Sequence, residues 1–182
     1  LQRRLLDREL RQPLETSLIA EDGVSVAGLV QAVQDVLQSS SPLVPVLQPH
    51  APRLLALIGG LTLHPVAQLL LTAAQTARPA HYAHAVAAMA LNGALMAADG
   101  GDDAAVRLAL MSGLLHDVGE MYIDPLHGEA EADRDLDFAS YQQLVVHPHV
   151  GYLLVAQLTN YPAEVARAIA EHHERLDQSG YP

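Results

Sequence analysis

The sequence contains no cysteine, no tryptophan and a single phenylalanine among its 182 residues. The absence of cysteine excludes thiol catalysis, thiolate zinc sites and iron–sulfur clusters, and it leaves no disulfide evidence for secretion. Aromatic residues make up only 4% of the chain, although half of its residues are hydrophobic. The core must therefore be built from Leu, Ala and Val, which are the residues typical of packed helices.

Basic residues and long apolar runs are also scarce. Ten Lys and Arg stand against 21 Asp and Glu, for a net charge of −11, which argues against binding of a nucleic acid polymer. A small phosphorylated ligand is not excluded, because bound metal ions can reverse the local charge of a site. No apolar run reaches the length of about 18 residues that a membrane-spanning helix needs, and the first residues lack the apolar core of a signal peptide. We therefore expect a cytoplasmic protein without a membrane span.

Apolar residues recur at helical spacing, and no segment shows the alternation typical of a strand. The sequence therefore predicts an all-α fold, with Pro and Gly marking helix ends. Serines and prolines in residues 39–49 predict a linker. We expect residues 1–50 to form an N-terminal helical extension and residues 51–182 to form one helical bundle. The predicted helices span residues 1–11, 25–37, 51–58, 64–76, 80–98, 103–118, 138–146, 148–158 and 162–174.

A histidine and an aspartate, His116 and Asp117, follow a stretch that is apolar on nearly every helical face. Such a helix is buried, so it carries an imidazole and a carboxylate into the core or to its edge. A buried carboxylate is costly unless it is paired or bound to metal. A lone His-Asp dipeptide is more often a plain ion pair or a helix cap, so it assigns no function by itself.

Four further histidines lie at helix ends or on apolar faces. His172 lies on the apolar side of the last predicted helix with His173 beside it, and neutral imidazole is the form that ligates metal. Pro148 excludes the α conformation for His147, so its side chain should project from a corner between two helices. His84 lies at one end of an apolar stripe. Each of these histidines alone has an ordinary explanation as a surface, capping or core residue.

Taken together, these residues offer five imidazoles and one carboxylate from four helices of one bundle, which is enough for two metal ions bridged by the carboxylate. Imidazole with carboxylate suits Fe, Mn, Zn or Ni better than Ca or Mg. Two such ions about 3.5–4 Å apart would generate a bridging hydroxide and clamp a phosphoryl group. The candidate metal ligands are His84, His116, Asp117, His147, His172 and His173.

The order and spacing of these motifs resemble the HD-GYP subfamily of HD-domain phosphohydrolases. His84 precedes His116 by 32 residues (116 − 84), as is typical of the first two motifs of that subfamily. The segment GLLHDVG at 113–119 resembles its HD motif, and HPHVG at 147–151 and HHERLDQSGYP at 172–182 follow in the same order. The resemblance covers about residues 80–182.

This resemblance implies a helical bundle of the HD-domain type with two or three metal ions, often iron or manganese. We expect two divalent ions, iron or manganese, in this chain. The implied reaction is hydrolysis of cyclic di-GMP or a related cyclic dinucleotide by a metal-bridged hydroxide, with Asp117 bridging the ions and the other candidate ligands in the family's ligand positions. The expected partners are the cyclic dinucleotide and signalling proteins, and a homodimer is left open. The catalytic candidates are His116, Asp117 and Glu120, and the candidate substrate-binding turn is Gly180, Tyr181 and Pro182.

The sequence departs from the family pattern in three respects. Glu120 stands where the family has a lysine that can contact substrate phosphate, so we expect it to act as a metal ligand or as an acceptor beside the ligands. Gln178 stands where the family has a glycine, and it costs about 1 kcal/mol or more if the position needs a positive φ. The family continues past this motif with further helices and another aspartate ligand, so we expect the domain to be truncated at Pro182.

Two other functions remain open on the sequence alone. The departures at Glu120 and Gln178 favour a degenerate HD-GYP module that binds a partner or nucleotide without turnover. Alternatively, the chain is an HD phosphohydrolase with another nucleotide substrate. We expect residues 124–135 to form a solvated acidic loop. Solvated or capping roles are expected for His50, His64, His81, His127 and His149.

Overall fold

The computed structural model describes residues 23–123 and 137–181, and all regular structure within these ranges is helical. The all-α prediction is therefore confirmed. Short 3₁₀ helices span Gln48–His50 and Val118–Tyr122. The α-helices are α1 (Val26–Gln38), α2 (Val44–Leu47), α3 (Ala51–Gly59), α4 (Pro65–Ala77), α5 (Pro79–Ala98), α6 (Asp103–Leu115), α7 (Phe138–Leu144), α8 (His147–Leu158) and α9 (Ala163–Glu171). The predictions for residues 1–11, the acidic loop, His127 and Pro182 lie outside the described residues.

Helix starts follow the local chemistry of the sequence. Ser25, Asp102 and Asp137 each accept a hydrogen bond from the backbone N–H three residues further on, at 3.1, 2.8 and 2.7 Å. These side chains satisfy N–H groups that the first turn leaves without a helical partner. Pro65 and Pro79 occupy the first positions of α4 and α5, where proline loses nothing because its missing N–H would have had no helical acceptor.

The two helices α5 and α6 form the centre of the bundle. Their facing sides bury Met89, Ala90, Leu110 and Leu114. Helices α1, α2, α3 and α4 pack against α5, and α9 packs against α6 and α8. Burial of these apolar side chains is the main favourable term for the fold. Within the described ranges no helix is both long and apolar enough to cross a membrane.

The predicted linker at residues 39–49 is the main difference in the N-terminal half. It contains α2, and Leu47 at the end of α2 is fully buried in the core. Pro45 occupies the first turn of α2, so the prolines that suggested a break are compatible with a helix start. Leu29 of α1 belongs to the same core cluster. The division of the chain at residue 50 stays a prediction.

Two helices end earlier than the apolar pattern predicts. Helix α6 ends at Leu115 rather than at residue 118, and α9 ends at Glu171 rather than at residue 174. The residues that follow are His116 and His172. Both helices therefore place a candidate metal ligand directly after the last residue of the helix, with its backbone still in the α region.

Candidate metal centre

The carboxylate of Asp117 is the buried centre of the candidate site. Asp117 follows α6 with φ of −101° and ψ of 11°, and its side chain is 2% exposed. Four imidazoles surround it in two pairs. Oδ2 lies 2.8 Å from Nε2 of His116 and 3.4 Å from Nε2 of His84. Oδ1 lies 3.2 Å from Nε2 of His172 and 3.4 Å from Nε2 of His147.

These imidazoles come from four separate elements. His84 lies in the second turn of α5, and His147 is the first residue of α8. His116 and His172 directly follow α6 and α9. The expectation that Pro148 forces His147 out of the helix is wrong, because the helix starts at His147 and Pro148 occupies its first turn. The predicted corner is present all the same, since only two residues separate α7 from α8.

Three of the histidines hold their rings by the same local hydrogen bond. Nδ1 donates to the backbone carbonyl three residues earlier, as His116 to Gly113 at 2.9 Å, His147 to Leu144 at 2.7 Å and His172 to Ile169 at 2.7 Å. A carbonyl accepts only, so we assign the proton to Nδ1, which leaves the lone pair of Nε2 pointing at Asp117. The carbonyls of Gly113, Leu144 and Ile169 lie at the C-terminal ends of α6, α7 and α9, where no further helical N–H is available to them. One bond therefore caps the helix and fixes the tautomer of the ligand.

The same arrangement directs three helix C-termini toward one point. Helices α6, α7 and α9 all end at a histidine of the cluster or within three residues of one. A helix C-terminus carries a partial negative charge that stabilises a nearby cation, and the effect is confined to the last turn. The electrostatics of the backbone therefore add to those of Asp117 and favour positive charge.

The donor spacing fits two divalent cations. Nε2 of His84 lies 3.2 Å from Nε2 of His116, and Nε2 of His147 lies 3.1 Å from Nε2 of His172. Since the Nδ1 atoms of His147 and His172 carry the protons, their facing Nε2 atoms repel each other unless a cation or an added proton lies between them. Donors bound to one ion at about 2.0–2.2 Å are about 2.8–3.6 Å apart for octahedral to tetrahedral angles, and the observed separations of 2.8–3.4 Å within each group lie in that range. The residues present therefore fit one cation at each oxygen of Asp117.

The charge states of the cluster depend on the central carboxylate: burial would lower the pKa of His147, but Asp117 and the backbone carbonyl of Leu144 outweigh burial and raise it. Burial alone would raise the pKa of Asp117, but its contacts with the four surrounding imidazoles favour the ionised carboxylate and hold the pKa far below its usual value. Each such contact is favourable when a proton or a cation lies between Nε2 and the carboxylate oxygen. Burial and the neighbouring His172 and His147 lower the pKa of His173 to about 4. His173 is therefore neutral at pH 7, the form that ligates metal. Its donor atom lies within 4.8 Å of those of Asp117, His147 and His172.

Comparison with known proteins places this geometry in a family. A family model described as HD domain matches residues 82–180, which is more than half of the chain and includes all six candidate ligands. The chain belongs to the HD domain family. It is also 35% identical over 120 residues to the cyclic di-GMP phosphodiesterase PA4108 of Pseudomonas aeruginosa, over 65% of this chain and 28% of that protein. The chain thus spans less than a third of the length of this relative. No solved structure matches the chain.

The end of the HD domain folds back onto the cluster. The ring of Tyr181 stacks on the imidazole of His173 with centroids 4.4 Å apart and an angle of 19° between the rings. A Cβ on Gly180 would collide with the carbonyl of His173 and lie 2.6 Å from Cα of Glu174, so only glycine allows this return. Gln178 has φ of 62°, and the positive φ considered for this position is confirmed.

A buried pair that the sequence analysis missed lies beside the cluster of the HD domain. His81 was expected in a solvated or capping role, but it is 5% exposed, and its Nδ1 lies 3.2 Å from Oε2 of Glu120. Glu120 is 1% exposed. The available signal was the spacing of His81 and His84, which places both on one face of α5. Among the other histidines, His64 has the expected capping role, because its Nδ1 accepts from the N–H of Val66 at the start of α4.

Proposed function

We propose that this HD domain is a metal-dependent phosphodiesterase that hydrolyses cyclic di-GMP or a related cyclic dinucleotide, as a member of the HD-GYP subfamily. The observation that carries the proposal is the division of the four imidazoles into two pairs, one at each oxygen of Asp117. The substrate class is supported by the activity named for the relative from Pseudomonas aeruginosa. The metals are proposed to be iron or manganese, for which imidazole and carboxylate donors are suited.

The donor set divides between two ions. His84, His116 and Oδ2 of Asp117 would hold one ion, and Oδ1 of Asp117 with His147, His172 and His173 would hold the other. When bound, two cations would activate water as a nucleophile and neutralise charge on the phosphoryl group. The protein's own contribution is to fix the ligand tautomers through the three backbone carbonyls and to keep Asp117 ionised.

The exposure of the ligands indicates where substrate would enter. The side chain of His84 is 45% exposed, whereas that of His147 is fully buried. The centre is therefore open on the His84 side and closed at its floor. Because the chain carries a net charge of −11, an anionic substrate would depend on the bound cations for its attraction to this opening.

Tyr181 of the proposed substrate-binding turn stacks on His173, one of the candidate metal ligands. One face of Tyr181 covers His173, and Tyr141 meets Tyr181 edge-on with centroids 6.1 Å apart. A base of the substrate would therefore contact the parts of the Tyr181 and Tyr141 rings that His173 does not cover. The substrate contacts of Gly180 and Tyr181 stay proposals, as do the catalytic roles of His116, Asp117 and Glu120.

The test is hydrolysis of cyclic di-GMP by the full-length protein loaded with Mn²⁺ or Fe²⁺, with the linear dinucleotide and GMP measured by chromatography. Asp117→Ala removes the carboxylate that would hold both ions. Loss of an outer partner of a ligand already costs about 10–100-fold, so this change should lower turnover by more than about 100-fold. Asp103→Ala is the matched control, since Asp103 is exposed and pairs with Arg53 on the surface.

Three results would contradict parts of the proposal. Equal turnover by wild type and Asp117→Ala would overturn the metal-centre mechanism. Turnover of another nucleotide or of a phosphomonoester in place of cyclic dinucleotides would retain the mechanism and change the substrate. Two bound metals per chain with no turnover of any of these substrates would favour a degenerate binding module.

A further inference from the structure

Side chains at the start of α5 contact the segment after α6 in a regular series, which we call the ladder. The ladder positions on the α5 side are Arg78, His81 and His84, and those after α6 are Asp117, Glu120 and Ile123. Successive positions on each side are three residues apart. The contacts are Arg78 Nη2 to the Ile123 carbonyl at 2.7 Å, Arg78 Nη1 to the Glu120 carbonyl at 2.7 Å, His81 Nδ1 to Glu120 Oε2 at 3.2 Å, and His84 Nε2 to Asp117 Oδ2 at 3.4 Å.

The matching spacing has a geometric cause. Residues three apart on an α-helix share a face, and a 3₁₀ helix has three residues per turn, so its positions three apart are also aligned. The backbone N–H of Glu120 donates to the carbonyl of Asp117 at 2.9 Å, and that of Ile123 donates to Glu120 at 3.2 Å. The turn after α6 therefore presents one aligned edge, in antiparallel order, to the start of α5.

The contact between His81 and Glu120 is buried, with the two side chains 6% and 1% exposed. A buried carboxylate is costly unless it is paired, and Nδ1 of His81 approaches Oε2 of Glu120 to 3.2 Å without the alignment of a hydrogen bond, which makes it one close polar neighbour of this carboxylate. Donor atoms of His81, Glu120 and Asp117 lie within 4.8 Å of one another. The pair thus lies beside Asp117, and because Glu120 and Asp117 share one turn, a shift of Glu120 relative to α5 would change the distance between Asp117 and His84.

We propose that His81 and Glu120 are positioning residues, which set the distance between α5 and the turn after α6 so that His84 and Asp117 can share one cation. The inference rests on the proposed metal centre. It replaces the catalytic role considered for Glu120, and it differs from the role of the lysine in the HD-GYP pattern, because the carboxylate of Glu120 contacts α5 within the core. Restoring the family lysine with Glu120→Lys would not test whether phosphate binding has been lost at this position. The new cation would lie beside His81 and Arg78 and would disturb their contacts.

The experiment is a titration of the metal-free full-length protein with Co²⁺, whose visible absorption reports the number and type of bound ligands. Glu120→Ala should weaken one of the two Co²⁺ sites by about 10–100-fold and leave the other unchanged. Glu120→Gln keeps the shape and an acceptor oxygen, so it should bind both ions as the wild type does. His81→Asn retains a nitrogen near the position of Nδ1 and should lie between these two variants.

Two further variants separate positioning from a general loss of structure. In a His84→Ala background, adding Glu120→Ala should weaken Co²⁺ binding no further, because the contact that the pair positions is already absent. Tyr161→Phe removes a hydrogen bond of 2.6 Å to the N–H of His64, away from the centre, and should leave both Co²⁺ affinities unchanged.

The outcomes distinguish this inference from the function on which it rests. Failure of the wild type to bind Co²⁺ would overturn both. Two bound ions in wild type and unchanged affinities in Glu120→Ala would overturn positioning alone, as would equal weakening of both sites with a lower melting temperature of the metal-free protein. Three ions in wild type that fall to two in Glu120→Ala would show that the pair is a ligand set instead.

Discussion

Gln178 occupies a backbone conformation that residues with a side chain rarely adopt, with φ of 62°. This conformation costs an L-residue about 1–2 kcal/mol, while the extra freedom of glycine in the unfolded chain costs about 0.5–1 kcal/mol. Gln178→Gly should therefore stabilise the protein by about 0.5–1 kcal/mol, measured by urea unfolding. Gln178→Ala is the control, since alanine keeps the conformational cost. Equal stability of the two variants would show that this turn stores no such strain.

Single residues also show which parts of the site could be predicted from the sequence. The six candidate ligands stood out because imidazoles and a carboxylate occur beside apolar helices, in an order typical of one family. The pairing of His81 with Glu120 could not be predicted in this way. It joins residues 39 positions apart (120 − 81), and it depends on the matched spacing of an α-helix and a 3₁₀ turn, which no local pattern reveals.

Helix ends are the elements that the sequence predicted least well and on which the site depends most. The predicted helices are three residues too long at these two ends, because Val118 continues the apolar pattern of α6, and His172 continues the face of α9 that carries Val165 and Ile169. The ends are set by His116 and His172, whose Nδ1 atoms bond to carbonyls of the last turn. The ring of His172 also lies 3.2 Å from Oδ1 of Asp117, a tertiary contact that the local pattern at the end of α9 does not reveal.

The 3₁₀ helix Val118–Tyr122 packs closely against the start of α8, and this packing can be tested by a substitution. A Cβ on Gly119 would collide with the carbonyl oxygen of His147 and lie 2.8 Å from the backbone nitrogen of Gly151. Gly119→Ala should push the turn away from α8 and destabilise the metal-free protein by about 1–3 kcal/mol in urea unfolding, as overpacking does. In Gly59→Ala the new Cβ would lie 4.0 Å from Val30, so this control should be neutral or slightly stabilising. A Gly119→Ala variant as stable as Gly59→Ala would contradict this close packing.

At the scale of the whole molecule, the composition predicted the residue types of the core but not every helix that contributes to it. A core of Leu, Ala and Val in packed helices followed from the shortage of aromatic residues. The proline- and serine-rich stretch at residues 39–49 concealed α2, because the burial of Leu47 depends on distant helices. The meeting of α5, α6, α8 and α9 at Asp117 was predicted from the joint occurrence of the candidate ligands and from the family resemblance, since helical periodicity alone assigns faces but no mutual arrangement.

Metal removal should therefore destabilise the whole bundle, because the candidate ligands tie together four elements that lie far apart in the chain. An ion that binds only the folded state stabilises it by about 4 kcal/mol when its free concentration is 1,000 times Kd. For a chain of this size that corresponds to a rise in Tm of about 8–16 °C. The measurement is thermal unfolding of chelator-treated protein with and without Mn²⁺. Asp117→Ala should show no Mn²⁺-dependent shift, whereas a wild type that melts at the same temperature in both conditions would refute a metal centre that joins these helices.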